Sequence, residues 1–507
     1  MISGQRAAGA PSSNVAEARA GDLARAALRA TDSSLFWAVA FLVAVLGGAA
    51  AGFHLPTSGD SFVHIATGRI LEDRGLLGTS SFMAGSAVPL DLRSWLLDLG
   101  LAHLYSLGGV AALEALAAVM GALTGLLMVA AARMMGRAHA LMVVAMVGLA
   151  LAALDPAISS LSAVVMALLA SSALLCLAAV RQGRGWAPWA LLAVVVVWAN
   201  VDPSVVVVAP LTALILVVDR LSSHPHRRGL WLAPAVLVAS CINPQGPLLY
   251  AWAPLSLGML GEHPLLPLWS SPDFHPWGAR ISELTALALL LGYLVGGSSR
   301  RRSDGLLAMT VAVLTLVWSD YLPLFLVVAG VLAASLLSNW TAEFAPAQRR
   351  RPVVAGNRWR LVAMLPVLLT VVLLGRAVVH AEASGGPSEQ LAARLPVAAA
   401  SWLRSHQTVG TIYTTPDFGD YLAAADPTAH NLLCTTDPVA DGETRMTACE
   451  ELAVLDHGAL AVLRRLGATE AVLPRAAPEV AFLRAEGWSI SYRDRVAEVL
   501  AAPPSRR

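Results

Sequence analysis

Lysine is missing altogether, and every formal side-chain cation among the 507 residues is an arginine. Charge of either sign is scarce: 14% of the chain, against about 25% for a typical soluble protein. Net charge is only +1, so the chain lacks the basic excess of a nucleic-acid binder and no nucleic-acid partner is expected. No P-loop, dinucleotide fingerprint, nucleophile elbow or zinc-type Cys/His spacing occurs. What fills the chain is apolar. Hydrophobic residues make up 56%, and mean hydropathy is +0.64. That composition predicts a polytopic membrane protein.

Apolar runs of spanning length lie near 34–53, 109–132, 138–154, 158–180, 186–200, 203–219, 229–243, 281–298, 304–319, 320–338 and 360–381. The fold expected is therefore a helical membrane domain of about 11 transmembrane helices over 33–382, preceded by a polar, disordered cytoplasmic tail at 1–32. Arg6, Arg19, Arg25 and Arg29 occupy that tail before any apolar segment, a lead too long for a cleavable signal peptide.

Arginines set the orientation. With the N-terminus cytoplasmic, Arg133 and Arg137, Arg181 and Arg184, Arg220, Arg227 and Arg228, Arg300 to Arg302, and Arg349 to Arg360 all fall on one side. Acids and histidines gather on the other, with Asp60, His64, Asp91, Asp155, Asp202, Asp273, His275 and Asp320 in the external loops. Two of those loops are long. The first, 54–108, holds two helix-like stretches with mixed faces, expected to lie along the membrane interface; the second, 244–280, is rich in Pro and Trp.

From 383 to 507 the composition turns soluble-like, and an odd span count places this part outside as a small α/β domain. Strands are expected at 411–414, 431–437 and 470–474, with two more near the C-terminus and helices between. Of four cysteines, Cys176 and Cys241 belong to apolar runs and read as packing residues. Cys434 and Cys449 both fall in the external domain, where a disulfide is expected; it would be worth about 3 kcal/mol in the chain-entropy picture.

Several polar residues in the external loops have the chemistry for a site. Asp60 and His64 stand four apart, on one face if 60–72 is a helix. They would either bind a metal or act as base and partner, or else Asp60 caps the helix and His64 sits at the headgroup level. Arg93, beside Asp91 and Trp95, would bind a phosphate of the substrate or of a lipid headgroup. In "WSSPDFHPW", Asp273 and His275 are two apart between Trp269 and Trp277. They face one way in a strand, or form a turn after Pro272. Asn200 and Asp202 of "WANVDPS" mark a membrane exit, where turn and cap roles stand beside catalysis.

The order of these motifs resembles bacterial polytopic membrane proteins of the GT-C glycosyltransferase-like superfamily. Their first external loop reads approximately D-x-F/W-W-H-x-x-x-G, then H-E-W-L. Here that is Asp60, Phe62, His64 and Gly68, then Arg93-Ser94-Trp95-Leu96. "WAN" at 198–200, "NPQG" at 243–246, "WSSPDFH" at 269–275, "LPLF" at 322–325 and "DFGDYL" at 417–422 extend the likeness over almost the whole chain.

The resemblance implies transfer of a sugar from a polyprenyl-phosphate donor to a glycan, lipid or protein acceptor, at the outer face of the bacterial inner membrane. Asp60 would be the general base. His64, Arg69, Asp91, Arg93, Trp95, Asn200, Asp202, Trp269, Asp273 and His275 would contact substrate. Asp60, His64, Asp273 and His275 would be the ligands if a divalent metal such as Mg or Mn takes part. Where relatives carry His-Glu before the loop tryptophan, this chain has Arg93-Ser94, and "WSDYLPLF" has no cation before its last three residues. These departures motivate a second reading: a non-catalytic GT-C-like envelope protein that binds a glycan, a lipid or a partner subunit.

Overall fold

The computed structural model describes residues 34–52, 59–76, 79–80, 88–89, 91–136, 139–154, 160–222, 230–251, parts of 280–292, 301–343, 387–406, 410–426, 431–436, 438–455 and 458–503. The 1–32 tail, Asp155, the run at 360–381, and Trp269, Asp273 and His275 lie outside the described residues.

The helices of the membrane part are α1 (Ser34–Gly52), α2 (Asp60–Arg74), α3 (Trp95–Met135), α4 (Ala140–Leu154), α5 (Leu161–Arg181), α6 (Ala187–Val201), α7 (Val205–Ser222), α8 (Leu232–Ser240), α9 (Arg302–Val317) and α10 (Leu322–Glu343). A two-residue strand pair, β1 (Thr79–Ser80) with β2 (Val88–Pro89), lies between α2 and α3.

Among the described residues, five helices are long and apolar enough to cross a bilayer: Ser34–Gly52, Trp95–Met135, Leu161–Arg181, Val205–Ser222 and Ser319–Asn339, with mean hydropathies between 2.1 and 2.5. Ala140–Leu154 and Ala187–Val201 are apolar but only 15 residues each. The expected loop helix and second span join into the single α3. It kinks at Gly109, whose φ of 59° is open to glycine and disfavoured for other residues.

Small residues bring α1 and α3 together. A Cβ on Gly48 would stand 2.1 Å from the Gly121 carbonyl oxygen, and one on Gly125 would stand 2.0 Å from that of Ala44. Backbones this close give two apolar helices dispersion contacts that lipid cannot match.

Helix α5 spans the molecule between two polar ends. Its N-cap Ser160 accepts from the Ala163 amide, and the Leu161 amide donates to Ser61 of α2. At its far end Arg181 donates to Asp219 and Asp304, each at 2.7 Å, joining α5, α7 and α9. Twenty-one residues at about 1.5 Å each separate the ends by roughly 30 Å, the thickness of a hydrocarbon core. Trp186, Trp189 and Trp231 stand exposed just beyond the Arg181 end, as interfacial tryptophans do.

The C-terminal region comprises α11 (Pro387–Ala392), α12 (Val397–Ser405), β3 (Thr411–Thr414), α13 (Pro416–Ala425), α14 (Pro438–Ala453), α15 (Ala459–Arg465), β4 (Ala468–Pro474), α16 (Pro478–Ala485), β5 (Ser489–Arg493) and β6 (Ala497–Ala501). Its four-stranded sheet has the order β3-β4-β6-β5, with β3 parallel to β4 and the remaining pairs antiparallel.

The strand expected at 431–437 reduces to one bridge between Leu432 and Ile412, because the chain turns away at once to meet α13. There the Cys434 carbonyl accepts from Thr414 and the Thr436 amide donates to Asp420. The Cys434–Cys449 disulfide is present, while Cys176 is free and buried and Cys241 free and half-buried.

Candidate active site

Helix α2 carries the first motif, and despite its mixed composition most of it is packed inside the protein. Its residues from Ser61 to Val63, Ile65 to Gly68, and Ile70 and Leu71 are all buried. Gly68 makes this possible on the α3 side, where a Cβ would come within 2.1 Å of the Asp98 carbonyl oxygen. The cap reading of Asp60 gives way as well. Gly59 is the N-cap, without a side-chain cap bond, and Asp60 is the first helical residue.

Asp60 is held instead by α5, where Ser162 donates to its Oδ2 at 2.7 Å. His64, one turn on, places Nε2 3.8 Å from Asp60 Oδ1. Its Nδ1 lies 2.6 Å from Oδ1 of Asp98, which is 1% exposed. Ser94 donates to the same Asp98 oxygen at 3.3 Å. Two carboxylates thus flank one imidazole. Burial works against the charge on His64, but Asp60, Asp98 and Asp91 together outweigh it and raise its pKa to about 10. The flanking carboxylates thus favour the protonated imidazolium.

Asp91 and Arg93 form a bidentate pair, with Nε at 2.8 and 2.9 Å and Nη2 at 2.6 Å from the carboxylate. Asp91 also accepts from the Arg93 amide, which fixes the turn into α3. Asp202 accepts from the Ser204 amide at 2.8 Å and from its hydroxyl, and so starts α7 as a turn residue. Trp198 donates to the same Ser204 hydroxyl at 2.9 Å.

These groups share one cavity of about 100 Å³, lined by Asp60, His64, Asp91, Arg93, Ser94, Asp98, Ser162, Asp202, Asp320 and Thr436 with a few apolar neighbours. Residues from α2, α5, the approach to α3, the α6–α7 turn, the start of the Ser319–Asn339 span and the C-terminal region therefore meet at one point. Asp320 has no hydrogen-bond partner among the described residues and is half-buried at this wall.

Of the sequence candidates, Asp60, His64, Asp91, Arg93 and Asp202 converge here. Arg69, Trp95 and Asn200 do not line the cavity. Arg69 donates to the Ala424 carbonyl and lies 5.6 Å over the Tyr105 ring. Trp95 donates to Asn200 Oδ1 at 2.8 Å, and Asn200 donates in turn to the Val196 and Ile242 carbonyls, so this pair ties α3 and α6 to the segment just after α8. Asp98, Ser162, Asp320 and Thr436 are additions that sequence reasoning missed as site residues. An acid inside an apolar helix was the one signal available for Asp98.

No family model matches the sequence, and no curated protein matches it closely. Solved structures do match its fold. The crystal structure of ArnT from Cupriavidus metallidurans bound to undecaprenyl phosphate is 17% identical, with a TM-score of 0.51 over 93% of this chain and 98% of that one. An oligosaccharyltransferase of Archaeoglobus fulgidus, tethered to an acceptor peptide, is 12% identical, with a TM-score of 0.52 over 88% of this chain and 70% of that one. Identities this low speak for architecture alone. The chain is a multi-pass membrane protein with the GT-C-like fold.

Proposed function

We propose that the chain is a membrane glycosyltransferase that moves a sugar from a polyprenyl-phosphate-linked donor to an acceptor hydroxyl, with Asp60 as general base. The observation that carries this reading is the convergence of Asp60, His64, Asp91, Arg93 and Asp202 on one cavity of a GT-C-like fold. The undecaprenyl phosphate bound in the ArnT structure motivates the donor class.

In the transfer, the acceptor hydroxyl attacks the anomeric carbon and gives up its proton to Asp60. The bond to the lipid phosphate breaks, and the phosphate leaves with the electron pair. Asp60 suits the task by position: Ser162 fixes one oxygen, and the other faces the His64 ring. The imidazolium, anchored by Asp98, and the Arg93 guanidinium, paired with Asp91, are the cations that line the cavity among the described residues, where the phosphate would leave. Arg93 shares its charge with Asp91, which holds the guanidinium in one orientation.

Among the described residues no three His, Cys, Asp or Glu side chains gather so as to hold a metal. His64 also spends Nδ1 on Asp98. The other two ligands expected for a Mg or Mn ion, Asp273 and His275, lie outside the described residues, and no step above is routed through a metal.

In the proposed orientation the cavity end of α5 is extracytoplasmic and the Arg181 end cytoplasmic, in a bacterial inner membrane. The positive-inside rule and the tryptophans beside Arg181 support it. Replacing Asp60 by Asn in reconstituted protein is expected to abolish transfer, a loss of about 10³-fold or more, while membrane insertion and the disulfide persist. Undiminished transfer in that variant sinks the assignment. Lipid binding without turnover in the wild-type protein would move it to the non-catalytic reading.

A further inference from the structure

Helix α13, "PDFGDYLAAA", belongs to the C-terminal region yet runs beside α2 in the membrane part. Three contacts follow one another along the pair. The Gly59 amide donates to Asp417 Oδ1 at 2.8 Å. The Phe62 and Tyr421 rings meet edge to face, with centroids 5.2 Å apart. Arg69 donates to the Ala424 carbonyl. The approach is closest at the first: a Cβ on Gly59 would stand 2.7 Å from Asp417 Cα and 2.5 Å from Asp420 Oδ2.

Asp420, fully buried, accepts from the Thr436 amide at 3.0 Å and its hydroxyl at 2.7 Å. Thr436 in turn lines the cavity that holds Asp60 and His64. Since the Thr436 proton goes to Asp420, the hydroxyl has only lone pairs to offer the cavity, an acceptor suited to a sugar hydroxyl.

We infer that Asp417 and Asp420 are positioning residues of the transfer site: Asp417 fixes the first turn of α2, and with it Asp60 one residue on, while Asp420 fixes Thr436 as an acceptor for a donor or acceptor hydroxyl. This rests on the glycosyltransferase reading. The Phe62–Tyr421 and Arg69–Ala424 contacts already dock the two parts. The Asp417 bond adds a fixed Gly59 amide one residue before Asp60, which docking alone does not need. The C-terminal region is thereby part of the catalytic unit.

The test uses the full chain in lipid nanodiscs, comparing wild type, Asp417→Ala, Asp417→Asn and Thr436→Val. Hydrogen exchange is followed at amides 59–63, and transfer is followed with a polyprenyl-phosphate-linked sugar that the wild type turns over. In D417A, exchange at 59–63 is expected to rise about tenfold or more with the rest of the chain unchanged. Its kcat is expected to fall by roughly 100-fold at constant KM. D417N keeps an oxygen that accepts from Gly59 and is expected to restore most of both. T436V is expected to raise KM for the sugar several-fold.

Wild-type exchange at 59–63 in D417A would overturn the positioning role, as would equal losses in D417A and D417N that follow protein yield. An unchanged KM in T436V would overturn the role of Thr436. Transfer that survives in Asp60→Asn would instead remove the catalytic reading, leaving the exchange result to decide the contact between the two parts.

Discussion

Gly68→Ala isolates the geometry of the site from its chemistry, because no reacting group changes. The new Cβ would stand 2.1 Å from the Asp98 carbonyl oxygen and 2.7 Å from the Ala102 Cβ, against an ordinary contact of 3.4 Å or more. Backbone on one side cannot swing away as a side-chain tip would, so α2 and α3 must part by roughly 1.3 Å. The bond between His64 and Asp98, 2.6 Å long, crosses that same interface four residues away along α2 and ends on the same residue of α3. Stretched by such a shift it exceeds hydrogen-bonding range. Overpacking of this kind costs about 1–3 kcal/mol of stability. A displacement near 1 Å at a reacting group costs about 100-fold in rate. The assay is transfer at saturating donor, with folding followed by detergent-resistant thermal melting. Gly100→Ala is the control, since a Cβ there meets nothing within 4 Å on an exposed helical position. It should leave the rate unchanged and the helix slightly more stable. Wild-type transfer by G68A would refute the claim that the α2–α3 spacing sets the site.

Two more expectations follow from single features. His64 has a folded-state pKa of about 10 against an ordinary 6.5, so the stability from its ion pairs is present at pH 6.5 and is lost as pH rises through 10, while Asp98, raised by burial to about 6, gives up its own charge below that. Melting temperature measured over that window should fall with pH in the wild type and fall less steeply in His64→Gln; equal slopes would remove His64 as the cause. The Cys434–Cys449 bridge closes a 15-residue separation, so the double replacement by Ser should cost about 3 kcal/mol, read by chemical unfolding of the C-terminal region. A loss below about 1 kcal/mol would mean that contacts around Thr414 and Gly419 hold this loop without the bond.

Much of the fold was legible because membrane physics writes on composition. Apolar runs mark helices and arginines mark one side, and the resulting partition already collected Asp60, His64, Asp91, Asp202 and Asp320 on the other side. The kink at Gly109 also had a local sign, the glycine pair at 108–109 between apolar stretches. What had no local sign was any contact between distant segments. Gly59 and Asp417 are 358 residues apart, and nothing near either residue announces the other. Asx and cap chemistry near Asp60 was a sound reading of local preference. The capping of that turn is done from the far end of the chain.

The departures from the family pattern change meaning in this setting. An acid expected at position 94 is absent, but Asp98 stands one helical turn further along α3 and reaches the His64 ring. Ser94 then fits its place physically: its hydroxyl donates to Asp98, where a second carboxylate would face the first across about 3.3 Å in a buried wall and be repelled. Arg93 is accommodated likewise, by Asp91 two residues before it. A site decaying after loss of function would be expected to leave buried polar groups unmatched, since nothing selects their partners. In this cavity His64 and Arg93, together with the altered Ser94, each meet an acid with hydrogen-bond geometry, and Asp60 and Asp202 each hold a serine. That matching supports the proposed rewired catalytic site over a relic, with Asp320, which has no hydrogen-bond partner among the described residues, as the exception.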